Sequence, residues 1–232
     1  AVNDQVFRRE MRQFEGAYLS KSNVDRSKTR LERLPYIEKV EVDTNPVPGT
    51  SDQVDLDFDI TEGLPGQFGA GLGYSASQGI IVNGNFVHTN FLGTGNRVQA
   101  DANFGEFTTV FGGSYTNPYV GLNEVSRTIN ASYRKTTQFT SEASDLDTKT
   151  YNAGVSWGYP VTEYQRVNFG FNVQSADLSG NSVSSSAQAL QWIRSNGVSS
   201  VNCSPSFNEP TAVLFFTSEF NTYEMTAGWT YD

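Results

Sequence analysis

One histidine and one cysteine in 232 residues leave little material for metal or thiol chemistry. A Ser-His-carboxylate triad would have to recruit His88, in the stretch NFVHTNF, and no Gly-x-Ser-x-Gly elbow accompanies it. His88 therefore reads as a polar residue near a strand end. Metal catalysis meets the same shortage of nitrogen and sulfur ligands. Cys203, in the polar stretch NCSPS, has no second cysteine in this chain to pair with. No run approaches the ~18 apolar residues of a membrane helix, and the first residues lack the basic-then-apolar layout of a signal peptide. That shortage leaves a strand-built membrane wall open, because polar and lipid-facing residues alternate there and hydropathy averages out. Lys and Arg are also few, 16 against 25 Asp and Glu, for a net charge of -9. An acidic chain without a basic stripe argues against nucleic acid as a partner.

Glycine is plentiful and unevenly placed. GQFGAGLGY, residues 66 to 74, sets Gly69, Gly71 and Gly73 between Phe68, Ala70, Leu72 and Tyr74. The spacing departs from G-x-G-x-x-G, no helical pattern follows, and no Gly-Lys-Ser/Thr is present, so a phosphate-binding loop is excluded. A strand alternates faces, so this segment predicts one apolar face and one almost bare face. Interior glycine packs nothing and costs order, so such a strand is weakly held.

Two regimes meet at Gly63-Leu-Pro-Gly66. Before it, Val6, Met11 and Phe14, then Val24, Leu31 and Leu34, recur at helical intervals; Ser22 or Asn23 is the expected cap of the second helix and Pro35 its end. Ile37 to Val42 and Val54 to Ile60 alternate strictly around the turn NPVPGTSD. Asp55, Asp57 and Asp59 mimic the opening of an EF-hand loop, but Ile60 stands where glycine is required and no Glu closes the loop. They are expected on the solvated face of a strand. After Gly66 come eight alternating segments of about ten residues, beginning with Phe68 to Tyr74 and ending with Tyr223 to Tyr231. Their second faces are polar or tiny, as in Arg166, Asn168, Gly170 and Asn172. Connections such as Asn90 to Asn96 and Pro160 to Gln165 are short. Those after the fifth and seventh segments span about 15 and 40 residues by this reading, the last including a short helix at Ala187 to Ser195. Short turns on one rim, long loops on the other and aromatics near strand ends describe an outer-membrane barrel.

Four stretches, REMRQFEGAY (9 to 18), NPVPGTSDQVDLDFDITEG (45 to 63), NFLGTGN (90 to 96) and TNPY (116 to 119), together resemble the Omp85 family of outer-membrane insertases. The fold class this implies is an α+β POTRA segment, helix-helix-strand-strand with its first strand missing, followed by all-β antiparallel transmembrane barrel strands, about eight of an expected sixteen. The implied domains are a periplasmic partial POTRA domain at 1-63, a hinge at 64-66 and the N-terminal half of a barrel at 67-232, the chain being an internal piece with open edges. The implied site is a lateral gate at which Phe68, Gly69, Ala70, Gly71, Leu72, Gly73 and Tyr74 pair with a client strand. Glu15 matches the family's POTRA glutamate that contacts the lipoprotein BamD, with Arg8, Arg9 and Arg12 as neighbouring contact candidates. Other Bam lipoproteins, unfolded outer-membrane clients, periplasmic chaperones and outer-membrane lipids are the further implied partners; no cofactor, metal or enzymatic activity is expected. A polypeptide-secretion transporter of the same superfamily is the competing expectation, and a passive porin a weaker one, since it has no use for a POTRA segment.

Overall fold

The computed structural model describes residues 1–76, 79–121, 124–140, 144–162, 164–183, 185–196, 198–204 and 213–231. The Cys203 side chain lies outside the described part. The chain divides into two compact units, residues 1–67 with 87–98, and residues 68–86 with 99–232.

In the first unit, α1 (Asp4–Arg8) and α2 (Lys21–Glu32) precede a two-stranded antiparallel sheet of β1 (Ile37–Pro46) and β2 (Val54–Glu62). Leu31 from α2, Val6 from α1, and Tyr36 and Val40 at the start of the sheet are almost fully buried. For Val6, Leu31 and Val40 this burial is what the helical and alternating spacings predict. Polar groups inside this core are matched. The buried Ser27 hydroxyl accepts from the backbone N–H of Arg12 at 2.8 Å and of Gln13 at 3.2 Å and donates to Asn23 C=O at 2.8 Å. Arg30 Nη2 lies 2.9 Å from the buried Glu10 carboxylate. Two expectations need correction. The first helix stops at Arg8, because the chain beyond it turns so that its amides meet Ser27 instead of continuing the ladder. The second helix starts two to three residues earlier than expected, with Ser20 at its N-cap position. Asp55, Asp57 and Asp59 lie on the exposed face of β2, where Asn45 donates to Asp57 at 2.9 Å.

The remaining strands form one antiparallel sheet in the order β10-β11-β9-β8-β7-β6-β5-β4-β3. They are β3 (Gly66–Ser75), β4 (Gly79–Phe91), β5 (Asn96–Phe104), β6 (Thr108–Asn117), β7 (Ser126–Thr140), β8 (Ser144–Thr162), β9 (Gln165–Asn181), β10 (Val198–Ser204) and β11 (Val213–Tyr231). All eight expected segments are present in sequence order, each next to its predecessor. One face carries exposed apolar side chains on every strand, among them Phe68, Ile80, Phe104, Phe111, Trp157, Phe169, Met225 and Trp229. So much exposed hydrocarbon is stable only against lipid. The other face is polar, with Asn130, Asn152 and Asn172 close together and the glycines between them meeting amide oxygens.

The long connections are shorter than the alternation implied. β7 and β8 stay paired up to Thr140 and Ser144, and β9 and β11 up to Asn181 and Phe215. The β7, β8 and β9 parts of these extensions are rich in Thr, Ser and Asp and carry no sustained hydrophobic period, whereas the β11 part brings Leu214, Phe215, Phe216 and Phe220. Between β9 and β11, α3 (Ala187–Ser195) forms where the sequence places it, with the Ser186 hydroxyl accepting from Ala189 N–H at 3.2 Å. It buries Ile193, while Arg194 stacks over the Phe216 ring at 5.5 Å and Trp192 packs on Phe220 at 5.6 Å. The helix thus packs on the extended strands, and β10 pairs with the first seven residues of β11.

Leu31→Ala should cost the first unit about 2–5 kcal/mol, the usual range for emptying a fully buried leucine site. Hydrogen exchange of the α2 amides in the full chain should accelerate accordingly; unchanged protection would show that Leu31 does not anchor this core.

Candidate functional site: the β3 edge and an exposed loop

Glycine alternation in β3 is matched by the asparagines of β4. A Cβ on Gly69 would overlap Asn85 Oδ1, and one on Gly71 would overlap Asn83 Oδ1; at Gly73 nothing stands within 4 Å. Gly69 and Gly71 therefore admit the carboxamides of β4, whereas Gly73 faces open space. Phe68, Leu72 and Tyr74 project from the opposite face, each more than three-quarters exposed. Thr89 N–H donates to Pro65 C=O at 2.7 Å, just before β3 begins. Hydrogen bonding alternates along an antiparallel pair. The frame that sets Asn85 opposite Gly69 and Asn83 opposite Gly71 then turns the glycine backbone groups toward β4. The N–H and C=O of Phe68, Ala70, Leu72 and Tyr74 point to the other side, where β3 ends the sheet. An edge with unpaired backbone groups is a template for strand addition.

The motif NFLGTGN forms the β4–β5 turn and packs within the first unit. Asn3 N–H donates to Gly93 C=O at 2.9 Å, and the buried Asn90 carboxamide accepts from Gly95 N–H at 2.7 Å. Gly95 has φ +72°, and a Cβ there would meet the Arg9 guanidinium, with the Tyr36 hydroxyl 3.0 Å away. Arg9 hydrogen-bonds that hydroxyl; burial raises the Tyr36 pKa above the usual phenol value, with Arg9 opposing the rise and Glu10 adding to it. His88 accepts from Asn90 N–H through Nδ1 at 3.3 Å and lies edge-on to Phe91. It belongs to the architecture of this turn. Between β2 and β3, Gly63 N–H donates to Tyr36 C=O at 2.9 Å, and β3 starts at Gly66.

The four charged candidates near the N-terminus separate by exposure. Glu15 is 91% exposed and pairs with Arg8 at 3.2 Å, while Arg8 Nε lies 2.5 Å from Asp4. Arg8 is held above the ordinary guanidinium value by its hydrogen bond and charge pairing with Asp4, Glu15 adding to it. Arg9 is half-buried against the turn just described. Arg12 is half-buried as well, and its Nη1 donates to the C=O groups of Arg9 and Met11. Sequence reasoning missed the apolar part of this loop. Phe14 was assigned to a helix face, yet Phe14, Tyr18 and Leu19 all stand exposed around Glu15. Three large apolar residues inside a non-helical turn were the available signal. Among the described residues no cluster of His, Cys, Asp and Glu is fit to hold a metal ion.

An antiparallel sheet with a lipid-compatible face and a polar face, preceded by a helix-helix-strand-strand module, defines part of an outer-membrane β-barrel wall with a POTRA-type module. The family model for the Omp85 superfamily domain matches residues 90–232, and that for the surface antigen variable number repeat, the POTRA module, matches residues 1–63. The chain belongs to the Omp85 superfamily. It is 35% identical over 172 residues to the outer membrane protein assembly factor BamA of Neisseria meningitidis serogroup B, covering 73% of this chain and 22% of that protein. Against the BamA of Buchnera aphidicola the identity is 27%, covering 73% of this chain and 28% of the relative. The chain thus spans about a quarter of the length of these relatives. The crystal structure of BamA from Haemophilus ducreyi lacking POTRA domains 1-3 superposes on the whole chain with a TM-score of 0.72 at 30% identity, covering 42% of that structure. The protein accordingly resides in the outer membrane, with its N-terminal module in the periplasm.

Gly95→Ala should destabilise the β4–β5 turn by more than the ~1 kcal/mol of an incompatible backbone alone, because strain at φ +72° and collision with Arg9 add. Increased protease cleavage within residues 90–96 of the full chain would register it; a turn as resistant as that of the parent would refute the packing described.

Proposed function

We propose that this chain forms the gate half of an outer-membrane insertase, with β3 as the exchangeable strand on which client barrel strands are templated. The observation that carries this reading is the bare edge of β3, with the backbone groups of Phe68, Ala70, Leu72 and Tyr74 turned outward and glycines on the face where packing would otherwise secure a neighbour. Strand addition draws its affinity from main-chain hydrogen bonds, so a client of almost any sequence can be accepted. The names of the curated relatives, assembly factors of outer-membrane proteins, support the same reading.

Residues 1–63 act in this scheme as the periplasmic docking module and 64–66 as its hinge to the barrel strands. Glu15 and Arg8, with the exposed Phe14 and Tyr18 beside them, form the surface offered to the lipoprotein BamD. Periplasmic chaperones deliver the unfolded clients. Insertion needs no nucleotide: burial of client apolar surface in lipid and satisfaction of strand hydrogen bonds drive it, while the open edge lowers the barrier.

Leu72→Pro removes an outward donor at a cost of about 1–3 kcal/mol where a partner carbonyl is stranded, whereas Leu72→Val keeps the donor and favours strand geometry. Client folding by the full-length protein should be abolished by the first and retained with the second. A disulfide tying β3 to the closing strand should block insertion until it is reduced. Activity with that seam locked would leave the glycines with a packing role only and favour a secretion conduit.

Glu15→Lys reverses the charge that Arg8 faces and should weaken capture of BamD by the full-length protein at least tenfold. Undiminished capture would remove Glu15 from the docking surface.

A further inference from the structure

Arg127, the second residue of β7, stands opposite Asn117 on β6 and Trp157 on β8. Strand parity puts it on the face of Ile129, Ala131 and Tyr133, the side turned to lipid. Among the described residues of the sheet it is the one Asp, Glu, Lys or Arg on that face between the Tyr133–Tyr151 row and the periplasmic ends of the strands. β3 leaves the periplasmic module, so the antiparallel succession returns the β6–β7 and β8–β9 connections to the periplasmic side.

A guanidinium has N–H donors on every nitrogen and no acceptor, so Arg127 needs oxygen atoms around it. The described residues supply none. Its Nε is buried without a hydrogen-bond partner, and the side chain forms no ion pair with Glu124 of the preceding turn or with any other described carboxylate. The Asn117 carboxamide oxygen, on the strand opposite, already accepts from Tyr119 N–H at 2.9 Å. Trp157, on the other side, offers a ring and an N–H donor only. The lysines further out on the same face are treated differently: Lys135 Nζ lies 3.9 Å from the Asp147 carboxylate, and Lys149 stands opposite Asp177. A cation left without an acceptor on an apolar face is costly, and it points to an oxygen contributed from outside the chain.

Depth identifies that oxygen. Trp157 shares the row of Arg127, and Tyr159 with Trp229 occupies the next outward-facing row toward the periplasm, all three exposed. Aromatic belts of this kind sit at headgroup level. Lipid phosphates are the anionic acceptors there, and a guanidinium holds a phosphate with two parallel hydrogen bonds. We propose that Arg127 binds the phosphodiester of one phospholipid of the periplasmic leaflet, with Trp157 flanking it. The terminal nitrogens donate to two phosphate oxygens, while the arginine stem lies along the apolar face and keeps the charge at its boundary. Phosphate is the feature recognised, so zwitterionic and anionic phospholipids both fit and a lipid without phosphate does not. The site rests on the outer-membrane assignment and is independent of the gate role of β3.

Solid-state NMR of the full-length protein, carrying isotope-labelled arginine in phosphatidylglycerol bilayers and phosphate-free buffer, tests this with lipid as the sole source of phosphorus. A guanidinium signal dephased by phosphorus at roughly 4 Å, the separation that a direct charge-assisted hydrogen bond imposes, is expected. It should be lost in Arg127→Ala and in Arg127→Lys, and the lysine variant, which keeps stem and charge, carries the test if the alanine variant fails to fold. In native mass spectrometry of the full-length protein, retention of phosphatidylglycerol should fall at least fivefold in Arg127→Ala. Absence of a phosphorus-dephased guanidinium would assign the side chain to water alone and overturn the proposal. Dephasing unchanged in both variants, or equal retention by the parent of dioleoylglycerol, which lacks the phosphate, would overturn it as well.

Discussion

Hydrocarbon offers no hydrogen bonds, so each N–H and C=O of a strand in the membrane must find its partner on another strand. Within the nine-stranded sheet the interior ladders meet this demand over long uninterrupted registers, 17 consecutive pairs between β9 and β11 alone. β3, at one end of the strand order, turns alternate backbone groups away from β4.

Side-chain packing plays different parts in the two units. The periplasmic module follows the economy of a small soluble domain, with Leu31, Val6 and Val40 enclosed and the buried polar groups Ser27 and Glu10 each given a partner. The sheet inverts this arrangement, placing its large apolar side chains outward and carboxamides on the other face. Its stability comes from backbone ladders and lipid contact, so it can tolerate alanine and glycine where a soluble core would need bulk. The same tolerance lets Asn83 and Asn85 lie directly over Gly71 and Gly69, and lets the apolar face sink to a groove between Phe111, Tyr133 and Tyr151.

The β4–β5 turn shows how a short motif can serve two elements. NFLGTGN terminates two strands and also fills a niche between Asn3, Arg9 and Tyr36, with Asn90 closing the turn and Gly95 leaving room for a guanidinium. Arg9 consequently works as a packing residue, while its neighbour Arg8 stays exposed beside Glu15. Adjacent arginines of identical chemistry thus acquire different roles from the direction in which a five-residue helix ends.

Local sequence determined much of this protein. Period-two alternation located all eight principal strands, because in lipid one face must be apolar, and the segment Ala187 to Ser195 reads as the short helix α3. The proline and glycine cluster at 63–66 marked where one regime yields to the other. Tertiary structure decided the rest. The true extent of β7, β8, β9 and β11 depends on pairing with neighbouring strands, which local alternation does not record. β10 exists because β11 offers it an edge. The early end of α1 depends on Ser27, some twenty residues away, capturing the amides of Arg12 and Gln13. Whether a charged residue faces solvent, as Glu15 does, or a neighbouring turn, as Arg9 does, is likewise set by contacts between distant segments, and local periodicity carries no record of them.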